Sequence, residues 1–235
     1  MVRAMRIVIP IIALLACLPT PADAATRTFG VSGFDRIRID GPFKVRLATG
    51  VAPFAVANGS GPGLDSVALD VEGRTLVVRN NRSSWGGFPG DAKGPVEISI
   101  GTHELNAAWV NGSGSLDIDR LRGLSFDLSV QGAGSASVGQ ATVDQLKIAI
   151  AGAGSVSIAG VAPKLTALVR GVSTLDAARL IASDAIIGAQ GPATVRLTVT
   201  GSAKVDAQGA VVVDLAGRPA CTVKATGSAT INGCR

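Results

Sequence analysis

Histidine occurs once in the 235 residues, at His103, so a Ser-His-Asp relay has a single possible base and a metal site built on several imidazoles has none. His103 stands in Gly101-Thr-His-Glu-Leu105, which reads as a polar turn. The carboxylates are more suggestive. Asp117 and Asp119 alternate along one predicted strand, which puts both on one face about 7 Å apart, inside the range that inverting glycosidases use. The positions equivalent to Asp117 in later repeats are Ser137, Ser157, Asp176 and Arg196, and no aromatic platform for a sugar ring stands nearby in sequence. The pair is therefore expected to be a solvated strand face. A polysaccharide-acting enzyme is the alternative reading. Calcium needs six to eight oxygens, and here the carboxylates recur irregularly. Gly112-Ser-Gly lacks the lysine and the following helix of a phosphate-cradling loop. No catalytic residue, metal ligand or cofactor is assigned.

Four cations alternate with apolar residues at the start of the chain: Arg36 and Arg38 with Ile37 and Ile39, Lys44 and Arg46 with Val45 and Leu47. They are expected to align on the outer face of two strands, where they could touch an anionic envelope polymer or discourage edge pairing. The net charge of +5 is too dilute for a nucleic-acid binder, because no Lys/Arg-dense face carries interleaved aromatics.

The compartment is written at the amino terminus. Arg3 and Arg6 precede an almost wholly apolar stretch, residues 7–18, and Ala22-Asp-Ala24 follows Pro19 and Pro21. This is the layout of a secretory signal peptide over residues 1–24, cleaved between Ala24 and Ala25. The apolar run is too short to cross a bilayer, which takes ~20 helical residues, so no transmembrane segment is expected in the mature chain. Leu14-Leu-Ala-Cys17 also fits a bacterial lipoprotein box, in which Cys17 would be lipidated and anchored. Either way Cys221 and Cys234 are left to pair, in a compartment that permits disulfides. Closing their short loop is worth ~3 kcal/mol on the chain-entropy account.

The elements that must position these groups show themselves as repeats. Asn111-Gly-Ser-Gly-Ser-Leu-Asp-Ile118 is followed by Gln131-Gly-Ala-Gly-Ser-Ala-Ser-Val138, Ala151-Gly-Ala-Gly-Ser-Val-Ser-Ile158, Arg170-Gly-Val-Ser-Thr-Leu-Asp-Ala177 and Gln190-Gly-Pro-Ala-Thr-Val-Arg-Leu197. The lead glycines thus recur about every twenty residues, with weaker copies at Thr200-Gly-Ser-Ala and Thr226-Gly-Ser-Ala. On each side of the glycine the apolar residues alternate, as in Phe126/Leu128/Val130 before it and Val156/Ile158 after it, which is the pattern of strands with one buried face. Ser137 and Ser157 fall on the outward set, so apolar replacements there should be mild. Five coils of a parallel β-solenoid would stack ~4.8 Å apart. A transmembrane β-barrel shares the alternation but wants aromatic girdles, and this chain has no Tyr and only 3% aromatics. An antiparallel sandwich requires no such period.

Residues 25–110 are less regular and residues 111–235 more so, within a single expected domain, 25–235. Residues 34–39 and 43–47 flank Gly41-Pro42, and residues 69–71 and 76–78 flank Glu72-Gly73; both read as hairpins or early solenoid strands. Residues 82–94, with Trp85 and Phe88, read as a surface loop. No helix is expected beyond the leader, although residues 177–185 have some helical potential.

Phe34-Asp-Arg-Ile-Arg-Ile-Asp-Gly-Pro-Phe-Lys-Val-Arg-Leu-Ala-Thr-Gly50, the Gly-Ser-rich turns, and the closing Gly-Arg-Pro-Ala-Cys221 with Gly-Ser-Ala-Thr-Ile-Asn-Gly-Cys234 together resemble the DUF2807 family, labelled an autotransporter adhesin head GIN domain. The resemblance spans essentially the whole mature chain. It implies an all-β fold, a right-handed parallel β-helix with ~20-residue coils, and a bacterial envelope protein at the periplasm or cell surface. Its motifs specify turns rather than chemistry. The expected function is a non-enzymatic module that binds, adheres or spaces, with an envelope polymer or protein as partner.

Overall fold

The computed structural model describes residues 25–81 and 95–235. The leader, with Cys17 and Ala24, and the segment holding Trp85 and Phe88 lie outside the described residues. The elements are β1 (Ala25–Phe29), β2 (Arg36–Asp40), β3 (Lys44–Thr49), β4 (Phe54–Gly59), α1 (Gly61–Asp65), β5 (Val67–Glu72), β6 (Thr75–Asn80), β7 (Glu97–Thr102), β8 (Ala107–Gly112) and β9 (Ser115–Gly132). There follow β10 (Ser135–Gly152), β11 (Ser155–Val161), β12 (Lys164–Gly171), β13 (Thr174–Gln190), β14 (Thr194–Gln208), β15 (Val212–Ala216), β16 (Ala220–Thr226) and β17 (Thr230–Asn232).

Alternating apolar residues bury one side of each strand, and a glycine corner sends the chain from one wall to the next. The first wall stacks β6, β2, β8, the later parts of β9 and β10, β12, the later parts of β13 and β14, and β16. The second stacks β7, β3, the opening parts of β9 and β10, β11, the opening parts of β13 and β14, β15 and β17. Every one of these pairings is parallel. A barrel of membrane-crossing hairpins and a sandwich of antiparallel sheets are both excluded by that, and the fold is a β-solenoid of about six turns. The lattice runs across residue 111 on both walls, so β2, β3, β6, β7 and β8 already belong to it.

The corner is a column of glycines, Gly41, Gly112, Gly132, Gly152, Gly171, Gly191, Gly209 and Gly227, all with φ between 82° and 131°. Each lies against the one before it. The last two corners are spaced eighteen residues rather than twenty, which corrects the repeat expected at Thr200-Gly-Ser-Ala. Gly201 sits instead beside the Ser183 carbonyl, and the true corner is Gly209 in Gln208-Gly-Ala-Val-Val-Val-Asp214. Along one edge of the core the inward residues become smaller toward the carboxyl end. One stacked column of the first wall reads Phe126, Leu146, Leu165, Ala185, Ala203, Cys221. At the carboxyl end Cys221 and Cys234 lie within disulfide distance, with Cα atoms 5.6 Å apart.

Antiparallel strands finish the other end. β4 pairs β7, β1 pairs β4, and β5 pairs β6, each antiparallel. Of the two sites read as hairpins or early solenoid strands, Glu72-Gly73 is a hairpin. Gly41-Pro42 is a solenoid corner, because β2 and β3 pair with different strands on different walls. Among the described residues the one helix is α1, which the sequence reading missed. Ser60 caps it by accepting from the Gly63 N–H at 3.2 Å, and Pro62 opens its first turn. Residues 177–185 lie within strand β13 despite their helical potential, since Ala177, Ala182 and Ala185 stack on Leu197, Val199 and Ala203 of the next coil, with shifts of register between them.

Asp35 is the only charged residue among the buried ones described. Its Oδ2 accepts from Asn106 Nδ2 at 3.0 Å and pairs with Arg74 at 2.6 Å, tying three distant segments together. Burial alone would raise its pKa, but the hydrogen bonds from Asn106 and Arg74 together with the charges of Arg74 and Arg36 outweigh that and hold the carboxyl below its ordinary value. A depressed folded pKa stabilises above the unfolded value of ~3.9, and that stabilisation is lost as pH falls through the folded value. Asp35→Asn should cost about 1–2 kcal/mol at pH 7 and progressively less below pH ~4. Urea unfolding of both proteins at pH 7 and pH 2.5 checks this; an unchanged difference between them would remove the carboxylate from the account.

Candidate functional site

The four cations do not share one face. Arg36 and Arg38 lie on the first wall and Lys44 and Arg46 on the second, on either side of the Gly41 corner. Nor are they unpaired. Arg36 lies 3.9 Å from Asp35, and Arg38 lies 3.0 Å from Asp40 and 3.6 Å from Glu72. Glu97 takes Lys44 at 3.5 Å and Arg46 at 2.8 Å. The four cations face outward from two strands as expected, but they are divided between two walls and stand beside carboxylates.

Asp117 and Asp119 do lie in a concavity. Outward residues of the second wall line up rung by rung, Ser99 beside Arg46 and Arg46 beside Asp117, while in the next column Phe54 opposes Gly101 and Gly101 opposes Ala48. The small residues at Gly101 and Ala48 leave space between larger neighbours. The result is a trough of about 330 Å³ lined by Phe54, Ser99, Arg46, Ala48, Asp117 and Asp119, within the range of small-molecule sites.

The charged groups in the trough are each engaged by neighbours. Asp117 accepts a hydrogen bond from the Ser137 hydroxyl of the next coil. Asp119 Oδ1 accepts from the backbone N–H of Thr49 at 3.1 Å and of Arg120 at 2.6 Å, and its Oδ2 lies 3.4 Å from the Arg120 guanidinium. Arg46 is braced by Glu97.

Phe54 is what the sequence reading lacked. It is 40% exposed, and it comes from β4, more than sixty residues from Asp117 in the chain. The aromatic absent nearby in sequence is therefore present in space. Its seat is Gly101, where an added Cβ would overlap the Phe54 ring. The single available signal was a glycine within a strand, which marks a close approach.

His103 lies apart, in a smaller recess of about 260 Å³ with Thr49, Glu104, Arg120 and Arg122. Gly112-Ser-Gly is a corner of the glycine column, with no helix after it. Among the described residues no three His, Cys, Asp or Glu side chains come together as metal ligands, and no helix is long and apolar enough to cross a membrane.

The family model described as "DUF2807: Putative auto-transporter adhesin, head GIN domain" matches residues 33–219. No curated protein matches the chain. Among solved structures, the chain is similar to that of a "putative adhesin" from Bacteroides fragilis NCTC 9343, at 20% identity and a TM-score of 0.77, covering 89% of this chain and 96% of that one. A "putative lipid binding protein" from Parabacteroides distasonis ATCC 8503 aligns at 18% identity and a TM-score of 0.71 over 89% and 96%. A "putative adhesin" from Parabacteroides merdae ATCC 43184 aligns at 17% identity and 0.67 over 88% and 95%. At these identities the likeness is one of fold.

Proposed function

The chain belongs to the DUF2807 family, and from that premise we propose that it is a non-enzymatic envelope module that binds a surface polymer or protein through the outer face of its solenoid. The observation that carries this reading is the trough on the second wall, where Asp117, Asp119 and Arg46 are engaged by neighbouring groups before any ligand arrives. Groups held in place in this way lose little freedom on binding. Catalysis by the Asp117 and Asp119 pair would call for one carboxyl kept protonated in a desolvated pocket beside a second that is not. Both instead accept hydrogen bonds on a half-open strand face.

The proposed route is secretion by the leader of residues 1–24 with cleavage between Ala24 and Ala25, which leaves one domain, 25–235, in the periplasm or at the bacterial surface, stapled by Cys221 and Cys234. Expressing the full chain in a bacterial host, taking its intact mass and passing envelope extract over it tests the reading. The expected result is a mature chain that begins at Ala25 and retains an envelope component. A chain left in the cytoplasm, or one that retains nothing, would refute it.

A further inference from the structure

We propose that the trough between Phe54 and Asp119 is a saccharide subsite, which takes one neutral pyranose ring against Phe54 and holds its hydroxyls with Asp117, Asp119 and Arg46. This rests on the reading of the chain as a binding module and names the class of ligand.

The aromatic wall comes first. An exposed phenylalanine leaves apolar surface in water, which is unfavourable in proportion to its area. Here the ring is also prevented from turning inward, because it is seated on the backbone at Gly101 with Val51 alongside. What remains of it lines the cavity. A flat apolar surface of that kind suits the C–H face of a sugar ring, and the short side chain of Ala48 leaves the space in front of it open.

The opposite wall supplies acceptors. A carboxylate has about four lone-pair sites. Asp117 is engaged by Ser137, and Asp119 by two backbone N–H groups and Arg120, so acceptor capacity is left on both. Arg46 is ion-paired with Glu97 at 2.8 Å, and its five-donor fork can donate to a ligand. The ligand that matches is one with an apolar face and a rim of hydroxyls that both donate and accept.

Other occupants fit less well. An apolar peptide would desolvate the two carboxylates and leave their remaining acceptor sites unmet, which is costly. An anionic ligand would meet Asp117 and Asp119. A cation could stack on Phe54, but Arg46 stands in the same trough, with Lys44 close behind it on Glu97.

The test is an array of immobilised neutral hexasaccharides of glucose, galactose, mannose and N-acetylglucosamine, probed with the full chain, with poly-L-lysine printed beside them. We expect at least one saccharide to be bound. Phe54→Ala, Asp119→Asn and Gly101→Ala should each weaken it roughly tenfold or more, the last by displacing the ring without removing it. Lys147→Ala on the first wall should bind like the parent. Thermal unfolding of each variant shows that the fold is kept, and because Phe54 is exposed, its replacement leaves the core intact. No saccharide bound, full binding by Phe54→Ala, or capture by poly-L-lysine in place of sugars would each overturn the proposal. Release of reducing ends from a bound oligosaccharide would overturn the non-enzymatic reading beneath it. An empty array with envelope material still retained would sink the saccharide and leave the binding module standing.

Discussion

Gly152→Val should cost the solenoid at least ~2 kcal/mol in urea unfolding, and Gly132→Val about as much, whereas Ser157→Val should stay within ~0.5 kcal/mol of the parent. Gly152 has φ of +113°, a region that β-branched residues avoid, so the substitution is strained whatever the space. The space is also missing. A Cβ at Gly152 would lie 2.7 Å from the Gly132 carbonyl oxygen, and one at Gly132 lies equally close to the Gly112 carbonyl. These are backbone atoms that cannot swing aside. They are also already in use, since the Gly132 carbonyl accepts from Ala153 N–H at 2.8 Å and the Gly112 carbonyl from Ala133 N–H at 2.9 Å. Relief by shifting one coil therefore breaks the hydrogen bond to the next. Ser137→Val is a finer test than the sequence suggests, because Ser137 donates to Asp117 and its loss should cost up to about 1 kcal/mol. If the glycine variants unfold no more easily than Ser157→Val, the corner column does not constrain the fold.

The largest single loss is expected from Phe126→Ala, at roughly 3–5 kcal/mol. Phe126 is 0% exposed and is the largest of the fully buried side chains described. It stacks in register on Leu146, at the wide end of a column that narrows to alanine by the fourth rung. Truncation there opens a cavity that regular strands on both walls cannot collapse to fill. Leu124→Ala, two residues away and 78% exposed, should be nearly neutral and serves as the comparison in the same urea titration. Equal effects would mean that the core at this level is not packed as described.

The regular coils were legible from residues 111–197 because two periods coincide there, alternation within each strand and a glycine about every twenty residues. Where one period failed, the reading failed with it. Gly209 escaped notice because Gln208-Gly-Ala-Val-Val-Val has no Ser or Thr after the glycine and its coil is two residues short, so Gly201 looked the better match. The helix at Gly61–Asp65 is a single turn, too short for any periodicity to register.

Alternating polarity in β2 and β3 was sufficient to say that Ile37, Ile39, Val45 and Leu47 face inward and that the four cations between them face out. It was not sufficient to say that Gly41 turns the chain onto another wall, since a hairpin and a solenoid corner need the same local residues. Pairing over long sequence distances decides between them: β2 meets β6 and β8, and β3 meets β7 and β9. The same holds for chemistry. Asp117 and Asp119 share a face by strand geometry alone, and that much a sequence carries. That Phe54 stands across a trough from them, over a glycine at position 101, depends on β4 turning antiparallel to β7. Local residue order determines which way a side chain points from its strand, and only the stacking of distant strands determines what it points toward.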